Sequence, residues 1–134
     1  MRLVSANILE IEGISEPLVL DYFNTINQAD YQSTARLFTP QGSLIPPFES
    51  PISGREAIAT YLTQEAQGML LYPKKGTVEI LPEQHRKITI KGKVQTPIFG
   101  VNVAWQFIIT SEPAILAVEV KLLASPQELL SLRG

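Results

Sequence analysis

The spacing of apolar residues changes along this chain, and that change constrains the fold more than any other feature. As far as residue 67, apolar side chains recur every three or four positions, as they do on the buried face of an α-helix. From Met69 onward they alternate with polar residues, as they do in strands that bury one face. Helices followed by long strands predict an α+β fold, in which three N-terminal helices pack on one face of a curved antiparallel sheet.

Residues typical of helix N-termini predict where the helices begin. The first is predicted to begin at Pro17, with Ser15 as its N-cap. The second is predicted over residues 30–38 and the third over residues 55–67. A capping box at residues 125–128 predicts a further short helix at the C-terminus.

Strands are predicted for most of the remaining chain, and the clearest is the alternating stretch of residues 87–98. A turn containing Pro73 and Gly76 is predicted to interrupt the preceding strand. The predicted strands are residues 43–48, 69–81, 87–98, 101–110 and 115–123. One side of 87–98 is expected to carry Ile88, Ile90, Gly92, Val94, Thr96 and Ile98, and one face of 115–123 to carry Leu116, Val118, Val120 and Leu122.

Composition limits the classes of function. The length of 134 residues fits one domain over residues 1–134. A net charge of −2 supplies no general field for nucleic acid, and without cysteine there is no disulfide, zinc–thiolate site or cysteine nucleophile. The first residues lack a signal-peptide pattern, and the longest apolar stretch, residues 98–109, is shorter than a membrane span. These features predict a soluble, cytoplasmic protein.

Side chains suited to catalysis are few and scattered. The single histidine, His85, falls in a polar turn, where we expect it to be exposed to solvent. Glu79 and Glu119 do not share an interior face, as a pair of acid–base carboxylates would. The sequence shows neither a Gly-rich phosphate loop after a strand nor metal ligands at useful spacing. We therefore predict no catalytic and no metal-binding residue, and a protein that is not an enzyme.

Tyr22 and Trp105 are the two polar-tipped side chains on apolar faces. Tyr22 lies in the middle of the first predicted helix, and Trp105 alternates with Val103, Phe107 and Ile109. One interpretation is core packing, with each polar tip bonded to backbone or water. The other is a pair of donors that meet one acceptor, such as a carbonyl oxygen, of an apolar ligand.

Several segments resemble the C-terminal, nuclear-transport-factor-two-like domain of cyanobacterial orange carotenoid proteins. The resemblance runs from Ile11 to Leu132. The helical N-terminal domain of that family has no counterpart in this sequence, so the chain also resembles the free-standing homologues that act as carotenoid carriers. The segments are residues 19–27, 46–54, 92–97, 102–107 and 122–130.

The resemblance implies a cone of sheet wrapped on helices, with the end ring of a keto-carotenoid (canthaxanthin or echinenone type) inside. It also implies that the keto oxygen accepts hydrogen bonds from Tyr22 and Trp105. Glu65 matches an acid that bridges to the helical domain in the two-domain proteins, and its role in this chain stays open. The apolar lining implied by the same matching is Ile26, Pro46, Phe48, Ile52, Leu71, Val94, Thr96 and Ile98.

The length of such a ligand implies partners. We expect a homodimer around one carotenoid, helical carotenoid proteins as donors or acceptors, transient membrane contact and a role in photoprotection. Leu129, Leu130 and Leu132 make the last predicted helix either a movable cover or a helix simply docked on the sheet. Two other functions stay open: an isomerase or dehydratase of small apolar substrates on the same fold, and a dimerisation module without a ligand.

Overall fold

Three helices and six strands make up residues 9–123, the part of the chain that this computed structural model describes. The helices are α1 (Pro17–Asn27), α2 (Tyr31–Arg36) and α3 (Arg55–Glu65). The strands are β1 (Phe38–Ile45), β2 (Ile52–Ser53), β3 (Leu70–Ile80), β4 (Arg86–Gln95), β5 (Gly100–Ile109) and β6 (Ile115–Leu123). A 3₁₀ turn at Pro82–Gln84 connects β3 to β4. The predicted C-terminal helix, with Leu129, Leu130 and Leu132, lies outside the described residues.

All six strands form one sheet in the order β2-β1-β6-β5-β4-β3. The predicted α+β fold is confirmed, and the sheet is mixed, because β1 runs parallel to β6 while the other neighbours are antiparallel. The parallel pair is formed by strands far apart in the chain, so the local alternation pattern carries no sign of it. A backbone bond from Ile115 N to Leu37 O, 2.9 Å long, begins this pairing.

The sheet's inner face carries the core. β4 and β5 pair over ten positions without a shift, and this register places Trp105 between Ile90 on β4 and Val120 on β6. Helix α1 packs its buried residues Val19, Tyr22, Phe23 and Ile26 into the same core. The apolar side chains on the inner face of the sheet and on the buried face of α1 therefore pack into one apolar interior.

The first helix is capped by Glu16, whose carboxylate accepts a hydrogen bond from Leu18 N at 3.2 Å. The predicted N-cap, Ser15, is wrong by one residue. Glu16 also forms an ion pair of 2.6 Å with Arg86 on β4, so the cap joins the helix to the sheet. Helix α2 ends at Arg36, before the predicted end, because the chain from Phe38 onward pairs with β6.

Strand β3 passes through Pro73 and Gly76 without a turn, so the predicted interruption is wrong. The register with β4 shifts between Pro73 and Lys75, which is a β-bulge. A proline is tolerated there because β3 is at the edge of the sheet. Opposite the bulge, a Cβ at Gly92 would lie 2.8 Å from Pro73 Cα, so only glycine allows this close approach.

Strand β6 has the predicted ends but contains a second bulge. Ile115 pairs with Ile109, whereas Ala117 pairs with Ile108, which leaves Leu116 as the extra residue. Leu116 is therefore exposed, and its predicted place on the apolar face is wrong. Val118 is buried, and Val120 and Leu122 face the interior cavity described next.

Candidate ligand-binding cavity

An apolar cavity of about 370 Å³ lies between the helices and the inner face of the sheet. Its volume is within the range of small-molecule sites. Helices α1 and α3 supply one wall, and strands β1 and β3 to β6 supply the other. The lining residues are Tyr22, Ile26, Leu44, Pro46, Pro47, Tyr61, Leu62, Glu65, Ala66, Met69, Leu71, Val94, Thr96, Phe99, Val101, Val103, Trp105, Val120 and Leu122.

Tyr22 from α1 and Trp105 from β5 line the buried part of this cavity. Their exposed fractions are 2% and 1%, so their polar tips are shielded from bulk water. Among the hydrogen bonds of residues 9–123, none is donated by the Tyr22 hydroxyl or by the Trp105 indole N–H, and both side chains line the cavity. Two polar-tipped side chains, each with one hydrogen-bond donor, therefore lie in the wall of an otherwise apolar cavity.

An aromatic cluster holds these two side chains. Phe23 packs edge-on against Trp105 with ring centroids 4.8 Å apart, and against Tyr22 at 5.4 Å. Phe107 meets the ring of Tyr22 edge-on at 5.1 Å. Edge-to-face contacts of this kind restrict ring rotation, so the two donors are positioned before any ligand arrives.

Burial raises the pKa of Tyr22 far above its ordinary value of 10.0, and the neighbouring phenol of Tyr61 raises it further. The phenol therefore stays protonated and keeps its O–H at any physiological pH. A protonated phenol can both donate and accept a hydrogen bond.

The other end of the cavity reaches solvent. Phe99 from the β4–β5 loop and Leu122 near the end of β6 line it and are about half exposed. Glu65, at the end of α3, is an exposed carboxylate on this rim. Tyr61 donates to Glu49 at 3.3 Å, and burial, together with the charge of Glu49, raises the pKa of Tyr61 to about 12.

Three of the predicted lining residues lie elsewhere. Ile52 pairs with Leu44 across β1 and β2, and Leu44 takes the place at the cavity wall. Phe48 is 94% exposed, and Ile98 is 87% exposed in the loop after β4. The cavity does contain the remaining predicted residues, which are Tyr22, Trp105, Ile26, Pro46, Leu71, Val94 and Thr96.

The loop explains why Phe99, and not Ile98, lines the cavity. Strand β4 ends at Gln95, and the hydroxyl of Thr96 accepts bonds from the backbone N–H of both Ile98 and Phe99. This turn ends the two-residue alternation that placed Ile98 on the inner side.

The rest of the lining was not predicted, although part of it left a signal in the sequence. On α3, Tyr61, Leu62 and Glu65 have the three- and four-residue spacing of one helix face. On β5, Val101 and Val103 alternate with Trp105 and so share its side.

Chemistry-bearing groups outside the cavity are few. His85 ends the 3₁₀ turn as predicted, but it is half-buried, and its Nδ1 is buried without a partner in the described part of the chain. Residues 9–123 contain no cluster of three or more potential metal ligands. Among those residues there is also no helix with the length and apolar character needed to cross a bilayer.

Comparisons with known proteins agree on one fold. The model of the nuclear transport factor 2 (NTF2) domain matches residues 14–119. The orange carotenoid-binding protein of Synechocystis sp. is 39% identical over 127 residues, which are 92% of this chain and 40% of that protein. The chain therefore spans about two fifths of that relative's length.

Solved structures give the same result. The orange carotenoid protein of Anabaena (Nostoc) sp., in a structure described as binding canthaxanthin, superposes with a TM-score of 0.84 at 39% identity. That of Fremyella diplosiphon superposes with a TM-score of 0.85 at 41% identity. Each alignment covers 92% of this chain and 40% of the other.

Proposed function

Because the chain belongs to the nuclear transport factor 2 (NTF2) domain family and is similar to the C-terminal domain of orange carotenoid proteins, we propose that its cavity binds one end of a keto-carotenoid. In this proposal the end ring enters the apolar cavity, and its keto oxygen accepts hydrogen bonds from Tyr22 and Trp105. The polyene leaves through the open end beside Phe99 and Leu122.

One observation carries the proposal: Tyr22 and Trp105, two buried side chains whose donors have no hydrogen-bond partner within residues 9–123, line an otherwise apolar cavity. An oxygen with two lone pairs on an apolar ring satisfies both donors at once. Each bond contributes about 1 kcal/mol net, so burial of the ring and polyene supplies most of the affinity. The bonds set the orientation of the ligand and polarise its conjugated chain, which shifts its absorption to longer wavelength.

The relative described as binding canthaxanthin supports the class of ligand. We propose a carotenoid of the canthaxanthin or echinenone type, because both carry a keto group on an end ring. Canthaxanthin carries a keto group at both ends and echinenone at one end. A dimer that holds both ends by equivalent donor pairs would therefore favour canthaxanthin.

Ligand length supports a dimer. A keto-carotenoid is about 30 Å long, similar to the hydrocarbon core of a bilayer, whereas a chain of this size has a radius of gyration of about 14 Å. One cavity of about 370 Å³ shelters only part of such a rod. A second copy related by a twofold axis would cover the rest, with Tyr22 and Trp105 of each copy at one end of the pigment.

Carriage, not chemistry, is the proposed activity. The cavity's single carboxylate among the described residues is Glu65 on the exposed rim, and His85 lies outside the cavity. Neither is placed as an acid or base facing a substrate at the buried end. The chain would take pigment from a membrane and pass it to helical carotenoid proteins, or the reverse, in the service of photoprotection.

The test is expression in cells that make canthaxanthin, followed by an absorption spectrum and a native mass of the purified protein. We expect a coloured protein with one carotenoid per two chains. Trp105→Phe and Tyr22→Phe should each shift the bound spectrum to shorter wavelength, and the double variant should shift it further.

Tyr72→Phe is the matched control, because Tyr72 is 47% exposed on β3 and is absent from the cavity lining. It should leave the spectrum unchanged. An unchanged spectrum in the double variant would overturn the donor assignment. A colourless wild-type protein would overturn pigment binding and favour a dimerisation module.

A further inference from the structure

The outer face of the sheet is basic. Side chains on this face point away from the cavity, since their neighbours along β3 to β6 line it. The register aligns Lys75, Lys91 and Lys121 in one row across β3, β4 and β6, with Ala104 of β5 between the last two. Lys93 lies one step nearer the open end of the cavity, opposite Tyr72 and Asn102. We call Lys75, Lys91, Lys93 and Lys121 the lysine row.

Within the described residues, the lysine row forms no ion pair. In residues 9–123 the ion pair within 4 Å is Arg86–Glu16, which involves none of these lysines. Glu79 and Glu119 lie on the same face, farther from the open end of the cavity, and Glu12 lies beside Lys75 at the outer edge of β3. Lys91, Lys93 and Lys121 therefore carry positive charge on this face without an ion pair among residues 9–123, in a protein with a net charge of −2.

Exposed apolar side chains border the open end next to the lysine row. Leu70, Tyr72 and Leu123 lie at the ends of β3 and β6, and Ile98 and Phe99 form the tip of the β4–β5 loop. Their exposed fractions range from 38% for Leu123 to 87% for Ile98. We call these five residues the mouth edge. In the register, Lys93 and Asn102 lie between Tyr72 and Leu123, so apolar side chains and a cation alternate at this edge.

Phe48 is a sixth exposed apolar group, next in the chain to the cavity lining. Phe48 follows Pro46 and Pro47 of the cavity lining, and its backbone has a φ of 63°, a left-handed conformation that is costly for a bulky residue. With 94% of its surface exposed, the ring gains nothing from contact within the described chain.

The spacing between the lysine row and the mouth edge fits the depth of a lipid headgroup region. Successive residues on one face of a strand are about 7 Å apart. Lys93 is therefore level with Tyr72 and Leu123 and about 7 Å behind Leu70, and the row of Lys75, Lys91 and Lys121 lies about 14 Å behind Leu70. The Lys93 side chain lies over Gly100, where a Cβ would come within 3.1 Å of its Nζ, so this ammonium leans toward the mouth edge. Peripheral proteins bury apolar groups about 5–10 Å into the headgroup region and hold basic groups just above them.

We propose that the mouth edge inserts into an anionic lipid surface and that the lysine row binds its headgroups, so that the cavity opens directly onto the bilayer. This deepens the proposed function and rests on it for the reason to meet a membrane. Exposure of the apolar polyene to water costs roughly 25 cal/mol per Å². A pigment that moves directly between the bilayer and the cavity avoids this cost. Lysine, a flexible point charge, suits diffuse attraction to many headgroups rather than paired contacts with an acidic protein.

The first test uses pigment-free protein and sedimentation with vesicles of phosphatidylcholine alone or mixed with phosphatidylglycerol. We expect binding to the mixed vesicles only, weakened by high salt. Lys91→Gln and Lys121→Gln should each weaken binding about fivefold, the factor that corresponds to about 1 kcal/mol per lysine at a charged surface.

Lys87→Gln is the matched control. Lys87 lies on the same face, opposite Glu79 and farther from the mouth edge, and its loss should change vesicle binding little. Ile98→Ser should weaken binding about tenfold and leave the salt dependence unchanged, because it removes apolar insertion and no charge.

Three results would overturn the inference: equal binding to both kinds of vesicle, no binding to either, or an equal loss from Lys87→Gln and Lys91→Gln. A pigment-free dimer by native mass that dissociates in the Lys91→Gln Lys121→Gln variant would show that a second copy covers this surface instead. If the protein purifies with pigment but does not bind anionic vesicles, only this inference is refuted. Protein that binds anionic vesicles but stays colourless refutes only the proposed function.

Discussion

The side-chain amide of Asn27 pairs with the backbone of Leu71 as a neighbouring strand would. Asn27 Nδ2 donates to Leu71 O at 2.9 Å, and Leu71 N donates to Asn27 Oδ1 at 2.7 Å. Asn27 is the last residue of α1, and Leu71 lies in the edge strand β3 and lines the cavity. This pair joins the helix that carries Tyr22 to the sheet at the cavity wall.

Asn27→Ala should lower the free energy of unfolding by about 1–3 kcal/mol, because it leaves both backbone groups of Leu71 without partners. Urea denaturation measures the change. Asn102→Ala is the matched control, since Asn102 is exposed on the outer face of β5, and it should stay within about 0.5 kcal/mol of wild type. Equal losses in the two variants would refute the role of the Asn27–Leu71 pair.

A larger side chain in the cavity wall should prevent pigment binding without unfolding the protein. Val101 is half-buried on the cavity wall, so Val101→Phe should project a ring into open space and abolish pigment binding. Stability should change by about 1 kcal/mol or less, because the new ring meets a void rather than packed atoms. Bound pigment per chain and thermal unfolding are the measurements. Val78→Phe, on the exposed end of β3, should leave both unchanged; undiminished colour in Val101→Phe would contradict the assigned site.

The buried phenol of Tyr22 should make the fold sensitive to alkali. Its pKa is raised above the ordinary value of 10.0 by burial, so its contribution to stability is complete below pH 10.0 and is lost as the pH rises beyond it. We expect the free energy of unfolding of wild type to fall above pH 10.0, and Tyr22→Phe to fall less steeply. Tyr72→Phe, with an exposed ring, should keep the wild-type slope. Parallel curves for wild type and Tyr22→Phe would refute this assignment.

Phe23 should matter more to stability than its lack of polar groups suggests. The ring is fully buried between Tyr22 and Trp105 and meets both edge-on. Phe23→Leu removes three aromatic pairs, with Tyr22, Trp105 and Phe107. Each pair is worth about 0.5–1.5 kcal/mol, so we expect a loss of about 1.5–4.5 kcal/mol in chemical denaturation. Phe48→Leu, at an exposed position, should cost about 0.5 kcal/mol or less. Matching losses would show that the aromatic pairs contribute nothing specific.

Local periodicity was enough to predict the fold class and part of the cavity. The three- and four-residue spacing in α1 placed Tyr22 and Ile26 on its buried face, and alternation in β5 placed Trp105 on the inner side of the sheet. The conclusion that the two donors share a cavity came from the family resemblance, because their positions are far apart in the chain. Their role toward a ligand stays a prediction.

The sequence by itself determined which faces of α1, β4 and β5 are apolar, since regular helices and strands repeat side-chain direction at a constant period. Only the tertiary structure decided that Phe99 and not Ile98 enters the cavity, that Leu116 leaves the buried face of β6, and that β1 lies parallel to β6. The physical reason is that a turn or a bulge changes the side-chain direction of every residue after it. Where such a break falls depends on partner strands that are distant in the chain and invisible to local spacing.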